Sequence, residues 1–408
     1  MNARGSMACR SPRKGSKGET PPQWMDRVRE LAPVLRRNAE RADRNGRLPA
    51  ESLEAMRSAG LLRLYAPRSL EGLELDPIRH MQIQEELAKH DTAAAWVLQV
   101  VSSSAWFSSR LPTETVREIY GQSPDQIVST SFGIPVEATA VEGGFRLSGQ
   151  RPLASCVSDA SWIWLTALNM QAGAPESVDG NPVVRACFFP AGAAKIVRTW
   201  DTLGMRGTDS NDVLVEDLFV PKRRTFRIGI DHIPGPLFDG ALYRMPVMAA
   251  AATWLPAVAL GVAREAIDEL VALAQGKTPF SSSTTLRQRA VVQSKVGRAE
   301  GMLRSARTYL YDRIADAWER TIVSEELTLE QKTEVLLACV QAIDASVRAT
   351  DLMYSAAGTT GIYKRHRLER LFRDAHVLRQ HGFVSETRFE TVGQVWMGLS
   401  PELGFVAL

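Results

Sequence analysis

Arg373-Asp-Ala-His-Val-Leu-Arg-Gln-His-Gly382 is the stretch on which the reading of this chain turns. Its charged and apolar residues alternate as on a helix that ends near Gly382, because glycine readily takes the left-handed conformation that closes a helix. His376 and His381 stand five residues apart, so ideal helical spacing does not bring them to one face. On residue chemistry alone, His381 reads either as a cap on the helix C-terminus or as a proton-handling group in the following loop.

Upstream of this stretch the chain is helical for a long way. Thr285–Arg320 and Leu327–Ala357 carry heptad-like apolar positions with charges between them, the pattern of an antiparallel bundle. Segment 245–263 is alanine-rich with two prolines and fits a buried, closely packed helix better than a membrane span. Residues 123–226 change period. Ile127-Val-Ser-Thr-Ser-Phe, Gly144-Phe-Arg-Leu-Ser-Gly, Trp162-Ile-Trp-Leu-Thr-Ala and Val184-Arg-Ala-Cys-Phe-Phe are short strand-like runs, and Glu142-Gly143-Gly144 is a hairpin turn. They predict an antiparallel, β-barrel-like domain. Residues 24–122 return to helical spacing, with Asp91-Thr92 capping a helix and His90 facing solvent. The order predicts an α+β fold in four parts: a disordered leader at 1–23, an N-terminal helical domain at 24–122, a middle β-domain at 123–239 and a C-terminal helical bundle at 240–408.

Bulk properties exclude several classes. The 408 residues are 45% hydrophobic and 23% charged, with a net charge of only +3 and the two signs interleaved, which argues against a nucleic-acid binder. No membrane partner is expected. Cys9, Cys156, Cys187 and Cys339 lack metal-ligand or disulfide-framework spacing, and no two histidines join a carboxylate at metal-site spacing, so no metal is assigned and a reducing cytoplasm fits. No dinucleotide fingerprint or P-loop occurs in the chain.

Trp200-Asp-Thr-Leu-Gly-Met-Arg-Gly-Thr, followed by an apolar strand ending Phe219-Val-Pro, resembles the strand–turn–strand that leaves the β-domain of the acyl-CoA dehydrogenase superfamily. Gly143-Gly-Phe-Arg-Leu-Ser-Gly resembles its preceding hairpin. Tyr354-Ser-Ala-Ala-Gly358 and Arg370-Leu-Phe-Arg-Asp-Ala resemble the flavin-facing part of its last helices. The resemblance spans roughly residues 25–400 and places Gly382 where the dehydrogenases carry the glutamate that removes a substrate α-proton. A glycine cannot take a proton. Within the superfamily the chain is more similar to the flavin-dependent monooxygenases, the oxygenase halves of two-component systems: His381 closes a His-x4-His run, and Leu153-Ala-Ser-Cys with Asp159-Ala-Ser-Trp162 resembles their Phe-Ser-Ser-Gly and following Trp. Arg151 and Cys156 depart from that pattern, standing for a Trp and a Gly.

The resemblance implies reduced FMN or FAD as a diffusible cofactor delivered by a separate flavin reductase, O2 as co-substrate, and a flavin C4a-(hydro)peroxide that must be kept dry and hydrogen-bonded. It implies catalytic roles for His381 and Ser155, and flavin contacts from Ser129, Thr130, Ser131, Ser155, Arg206, Arg287, Gln293 and Gly358. Solvated or structural roles stand beside these for Arg206, Arg287, Gln293 and the strand-end hydroxyls. Arg373 and Asp374 read as a buried pair fixing the last helices. Trp96, Trp106, Phe132 and Trp162 are candidates for a substrate pocket, with core packing as the alternative. The substrate would be an aromatic or polyketide-type small molecule or a nucleotide-linked amino sugar, and the assembly a homotetramer. Two other readings stay open: an acyl-CoA dehydrogenase or oxidase with its base relocated, Glu386 being the nearest candidate, and a non-catalytic helical scaffold that kept the fold.

Overall fold

The computed structural model describes residues 21–178, 181–229, 233–280 and 282–401. Most of the leader, together with Cys9, His232 and Ser281, lies outside the described residues. The first helix, α1 (Pro21–Asn45), begins inside the span to residue 23 that was predicted as a disordered leader. The N-terminal part continues with α2 (Ala50–Ser58), α3 (Pro77–His90), α4 (Thr92–Ser108) and α5 (Thr113–Tyr120). Asp91 caps α4 as its residue type predicts, its carboxylate accepting from the Ala93 and Ala94 backbone N–H groups. His90 does not face solvent. It is buried, and its Nδ1 accepts from Arg36 Nε at 3.1 Å, because α1 crosses over it.

The middle part is built on β1 (Val128–Val141), β2 (Gly144–Ala154), β3 (Trp162–Gln171), β4 (Ala174–Pro175), the short ribbon β5 (Ser177–Val178) with β6 (Asn181–Pro182), then β7 (Val184–Pro190), β8 (Lys195–Val197), β9 (Asn211–Pro221) and β10 (Thr225–Arg227). The large sheet runs β10-β7-β3-β1-β2-β9-β8, with β4 beside β3. One pairing departs from the antiparallel expectation: β1 and β3 are parallel. The β1–β2 hairpin has already carried the chain back to the end where β1 starts, so residues 155–161 suffice to launch β3 in the same direction as β1. The β1–β3 register slips between Ser131 and Val136, and this bulge contains Phe132. Behind it Arg151 is buried and does not line the cavity described below. A Cβ at Gly133 would come within 2.6 Å of its Nη2, and burial pushes the guanidinium down to about 10.

The C-terminal part comprises α6 (Val247–Ala252), α7 (Pro256–Gly276), α8 (Ala290–Ile322), α9 (Leu329–Ala357), α10 (Arg367–Leu378) and α11 (Arg388–Trp396). The apolar span Val247–Gly276, α6 and α7 together, has its most apolar 18-residue stretch 89% buried and forms the central helical core. Its small residues permit that burial: a Cβ at Gly261 would stand 2.2 Å from the Glu85 carbonyl oxygen of α3. The buried Glu265 carboxylate of α7 is clamped by Arg36 of α1 at 2.8 Å and Arg367 of α10 at 2.7 Å. A buried carboxylate is tolerated only when paired, so this clamp locks three helices of the two helical parts together.

Candidate active site

A cavity of about 340 Å³ lies between α4, the end of the sheet where β1 starts, the turn at 200–210 and the loop after α10. Trp96, Gln99, Ser103 and Phe107 recur at helical spacing and turn one face of α4 into its helical wall. The opposite wall carries Thr130 and Ser131 of β1, Ser155 just past β2, and Ser210 at the start of β9. No Asp, Glu, Lys or Arg among the described residues lines the space.

One side of the cavity is a run of rings. From His381 it passes to Phe383 with centroids 5.7 Å apart, to Phe132 at 5.3 Å, to Phe107 at 5.9 Å and to Trp254 at 6.1 Å. Trp164 packs against both Phe107 and Phe132. Such a lining favours a flat, apolar occupant and excludes water.

The polar groups are strongly constrained. Ser155 Oγ accepts from Trp96 Nε1 at 3.0 Å and lies 2.7 Å from Ser210 Oγ, which lies 2.7 Å from Thr208 Oγ1. Thr208 donates to the Met205 carbonyl. Each hydroxyl has one proton, so the chain can run in only one direction: Ser155 donates to Ser210, and Ser210 to Thr208. Ser155 therefore offers the cavity its remaining lone pair. Toward the cavity it is an acceptor. Ser129 does not line the cavity; its Oγ donates to the Ser155 carbonyl at 2.6 Å and holds that residue in place.

His381 has the complementary polarity. Its Nδ1 accepts from the Phe383 backbone N–H at 3.3 Å, which puts the neutral ring's proton on Nε2. Trp96 meets its ring edge-on at 5.6 Å, so one indole touches both His381 and the Ser155 hydroxyl. Desolvation pushes His381 down to about 4, and it stays a neutral donor at ordinary pH.

The backbone around the cavity is unusual. Leu153 (φ 66°), Cys156 (φ 50°), Met205 (φ 54°) and Asp209 (φ 50°) all sit in the left-handed region. Such conformations cost about 1–3 kcal/mol each and cluster at functional sites. Cys156 thus occupies a conformation that a glycine, the residue it replaces in the resemblance, would take freely. It is held there by its N–H donating to the Thr208 carbonyl at 2.7 Å.

Several predicted residues are not brought here. Trp106 is fully buried and donates to the Leu242 carbonyl at 2.9 Å. It stands ten residues from Trp96, about 280° around the helix, and so turns into the core. Trp162 shares the face of β3 that carries Trp164 but stands at the start of the strand, under the Arg224 guanidinium, and does not line the cavity. Arg206 is tied to Asp201, the Thr202 carbonyl and the Asp43 carbonyl, and anchors the turn against α1. Arg287 and Gln293 are exposed and bond to Gln275 and the Arg287 carbonyl. Gly358 ends α9 away from the cavity, near Lys277. Arg373 and Asp374 do not pair with one another. Arg373 binds Asp43 and Glu369, and Asp374 accepts from the Met205 N–H at 2.6 Å. Glu386 is exposed, pairs with Arg379 and does not reach the cavity. His376 bonds to Asp351.

The sequence reading missed Gln99, Ser103, Phe107, Trp164, Ser210 and Trp254. The available signal was Gln99 and Ser103 interrupting an otherwise apolar helix on the Trp96 face. Nothing in the sequence singled out Ser210. The sheet wall suits a flavin ring: Thr130 Oγ1 is buried without a partner, and Ser155 has a spare lone pair. A flat ring with N–H and C=O groups along its edges would satisfy both.

Comparison with known proteins agrees with this geometry. Residues 22–121 match the family described as acyl-CoA dehydrogenase, N-terminal domain, and residues 253–386 match acyl-CoA dehydrogenase, C-terminal domain. The chain is 30% identical to an indole-3-acetate monooxygenase of Pseudomonas putida, over 89% of this chain and 91% of that one. It is 26% identical to the oxygenase subunit HsaA, a flavin-dependent monooxygenase of Rhodococcus jostii, over 88% of this chain and 93% of that one. The crystal structure of a 3-HSA hydroxylase from Rhodococcus sp. RHA1 superposes with a TM-score of 0.86 at 24% identity, over 94% of this chain and 98% of that one. With both family models matched and relatives of this kind along nearly its whole length, the chain belongs to the acyl-CoA dehydrogenase superfamily, among its flavin-dependent monooxygenases.

Proposed function

We propose that this chain is the oxygenase component of a two-component system. It takes reduced FMN or FAD as a diffusible substrate from a separate flavin reductase in the cytoplasm and, with O2, hydroxylates a flat aromatic or polyketide-type small molecule. The observation that carries this reading is the uncharged cavity in which His381 and Ser155 face one space with no carboxylate beside them.

The reduced flavin supplies the oxygen-activating chemistry when bound. Ser155, with Thr130 and Ser131, would hold its ring on the sheet wall, the Ser155 lone pair taking a ring N–H. His381 would present its Nε2–H to negative charge developing on oxygen, and its neutrality avoids trapping a charge in a dry site. The ring-lined side excludes water, which limits loss of oxidising equivalents as hydrogen peroxide.

The dehydrogenase alternative finds no base: Glu386 is exposed and bound to Arg379. N-oxygenation of a nucleotide-linked amino sugar is the weaker reading, because a diphosphate would meet no cation on these walls. Mixing anaerobic protein and reduced FMN with O2 in a stopped-flow instrument tests the proposal. A transient absorbance distinct from both oxidised and reduced flavin is expected. Protein that instead holds stoichiometric, non-dissociating FAD bleached by an acyl-CoA would overturn it.

A further inference from the structure

Met205 is the hub on which the polarity of the site depends. Its carbonyl accepts from Thr208 Oγ1 at 2.8 Å, from the Thr208 N–H at 3.1 Å and from Trp200 Nε1 at 3.1 Å, so the hydroxyl chain that starts at Ser155 ends on it. Its backbone is left-handed at φ 54°, a conformation that persists only where the surroundings hold it. Its own N–H supplies the hold, donating to Asp374 Oδ1 at 2.6 Å. A carboxylate accepts such a bond more strongly than a neutral acid would.

Asp374 is buried beside a second buried carboxylate, Asp91 at the start of α4, and like charges so placed raise one another. Asp91 Oδ1 accepts from the Ala93 and Ala94 N–H groups, while its Oδ2 is buried with no partner. Burial pushes Asp91 up to about 6 against the pull of Arg370, and Asp374 adds to the rise. Burial also raises Asp374, against the Met205 N–H bond and the pull of Arg370. Arg370 of α10 is thus the cation common to both carboxylates. The other charges around the junction are committed elsewhere: Arg373 to Asp43 of α1 and to Glu369, Arg206 of the turn to Asp201, Lys89 of α3 to Glu86, and His90 to Arg36. Arg373 adds a smaller pull on Asp374.

We propose that Arg370 is a positioning residue for flavin binding: its charge keeps Asp374 a carboxylate, that carboxylate holds the Met205 N–H, and Met205 orients the hydroxyl chain that begins at Ser155. On acidification the first proton goes to Asp91 Oδ2, which has no donor to lose, and Asp374 keeps its charge. The inference rests on the flavin reading above and adds a proton-linked junction outside the cavity.

Anaerobic titration of the full-length protein with reduced FMN tests it, from about pH 5.5 to about pH 8.5, the span in which a raised carboxylate titrates. Ionisations of FMN itself are common to every variant, so the differences between variants are read. Arg370→Gln should bind like the wild type at the alkaline end and lose affinity on acidification roughly one pH unit higher, the low end of what an opposite charge does to a carboxylate. Arg370→Lys should restore the wild-type profile. Asp91→Asn preserves the cap, because asparagine caps a helix as well as aspartate does, and removes the competing charge. Its loss of affinity should come at lower pH than in the wild type. Loosened packing would weaken binding at every pH and cannot shift two profiles in opposite directions. Should Arg370→Gln fold poorly, Asp91→Asn carries the test, and a profile coincident with the wild type overturns the proposal. Coincident profiles for all variants, or equal weakening at every pH, overturn the role of Arg370 and leave the flavin reading standing. Wild-type protein that binds no reduced FMN overturns both.

Discussion

His381 and Ser155 form a donor and an acceptor joined through one indole, and each polarity is enforced by neighbours. His381 keeps its Nε2–H because the Phe383 N–H occupies Nδ1. His381→Ala should preserve the fold and lower product formation about 10²–10³-fold while oxygen is still consumed and hydrogen peroxide rises, in line with losing one donor aimed at developing charge. Equal coupling and rate in the variant would reduce the histidine to a helix cap. Burial penalises the imidazolium, so the folded value of about 4 lies below the unfolded value of about 6.5. The neutral ring's contribution to stability is complete above pH 6.5 and is lost as pH falls toward 4. NMR titration of the imidazole should find a midpoint near 4, and a midpoint at 6.5 would mean a solvated ring. Ser155, polarised as an acceptor through Ser210 and Thr208, should favour a flavin whose ring carries an N–H. The wild type should therefore bind reduced FMN more tightly than oxidised FMN in anaerobic titrations, and Ser155→Ala should shrink that preference about 5- to 10-fold. A preference that Ser155→Ala leaves untouched would place its origin elsewhere.

At the scale of elements, the site depends on how α10 seats on the 200–210 turn. Asp374 accepts the Met205 N–H, Arg373 donates to the Leu203 carbonyl, and Gly204 lies so close that a Cβ would stand 2.4 Å from the Arg373 carbonyl oxygen. Backbone cannot yield there as a flexible side-chain end would. Gly204→Ala should cost about 1–3 kcal/mol by overpacking and should shift His381 relative to Ser155. Urea unfolding with parallel flavin titration would register both effects; an unchanged midpoint would show that the turn is looser than its contacts imply. The same seat explains the left-handed backbone at Met205 and Asp209. The turn must fold back tightly enough to present Thr208 and Ser210 to Ser155.

For the whole molecule, the C-terminal part leaves apolar side chains in solvent. Phe280, Ile362, Tyr363, Trp396, Met397 and Leu399 are all exposed. Arg287 and Gln293 are exposed in the same part of the chain and far from the cavity lining. Both observations suit an assembly in which copies pack through the bundle. Sedimentation velocity at micromolar concentration should find a species of four chains, and a monomer would count against both the assembly and any flavin contact by Arg287 across a subunit boundary.

What the sequence by itself determined was local: the order of helices and strands, the Asp91 cap and the Gly143 hairpin. Each follows from periodicity or turn chemistry within about ten residues, and the scaffold's name rests on the resemblance of its longer motifs. The bonding state of the site was decided only in three dimensions. Ser155 became an acceptor through residues at 96, 205, 208 and 210, and His381 became a neutral donor because Phe383 and the surrounding rings desolvate it. Trp96 and Trp106 read alike as aromatics of one helix, and only the direction in which α4 presents them separates cavity from core. Gln99 carried no motif at all. Its amide oxygen is buried with no partner, and a lack of partners is a property of packing that no local pattern encodes.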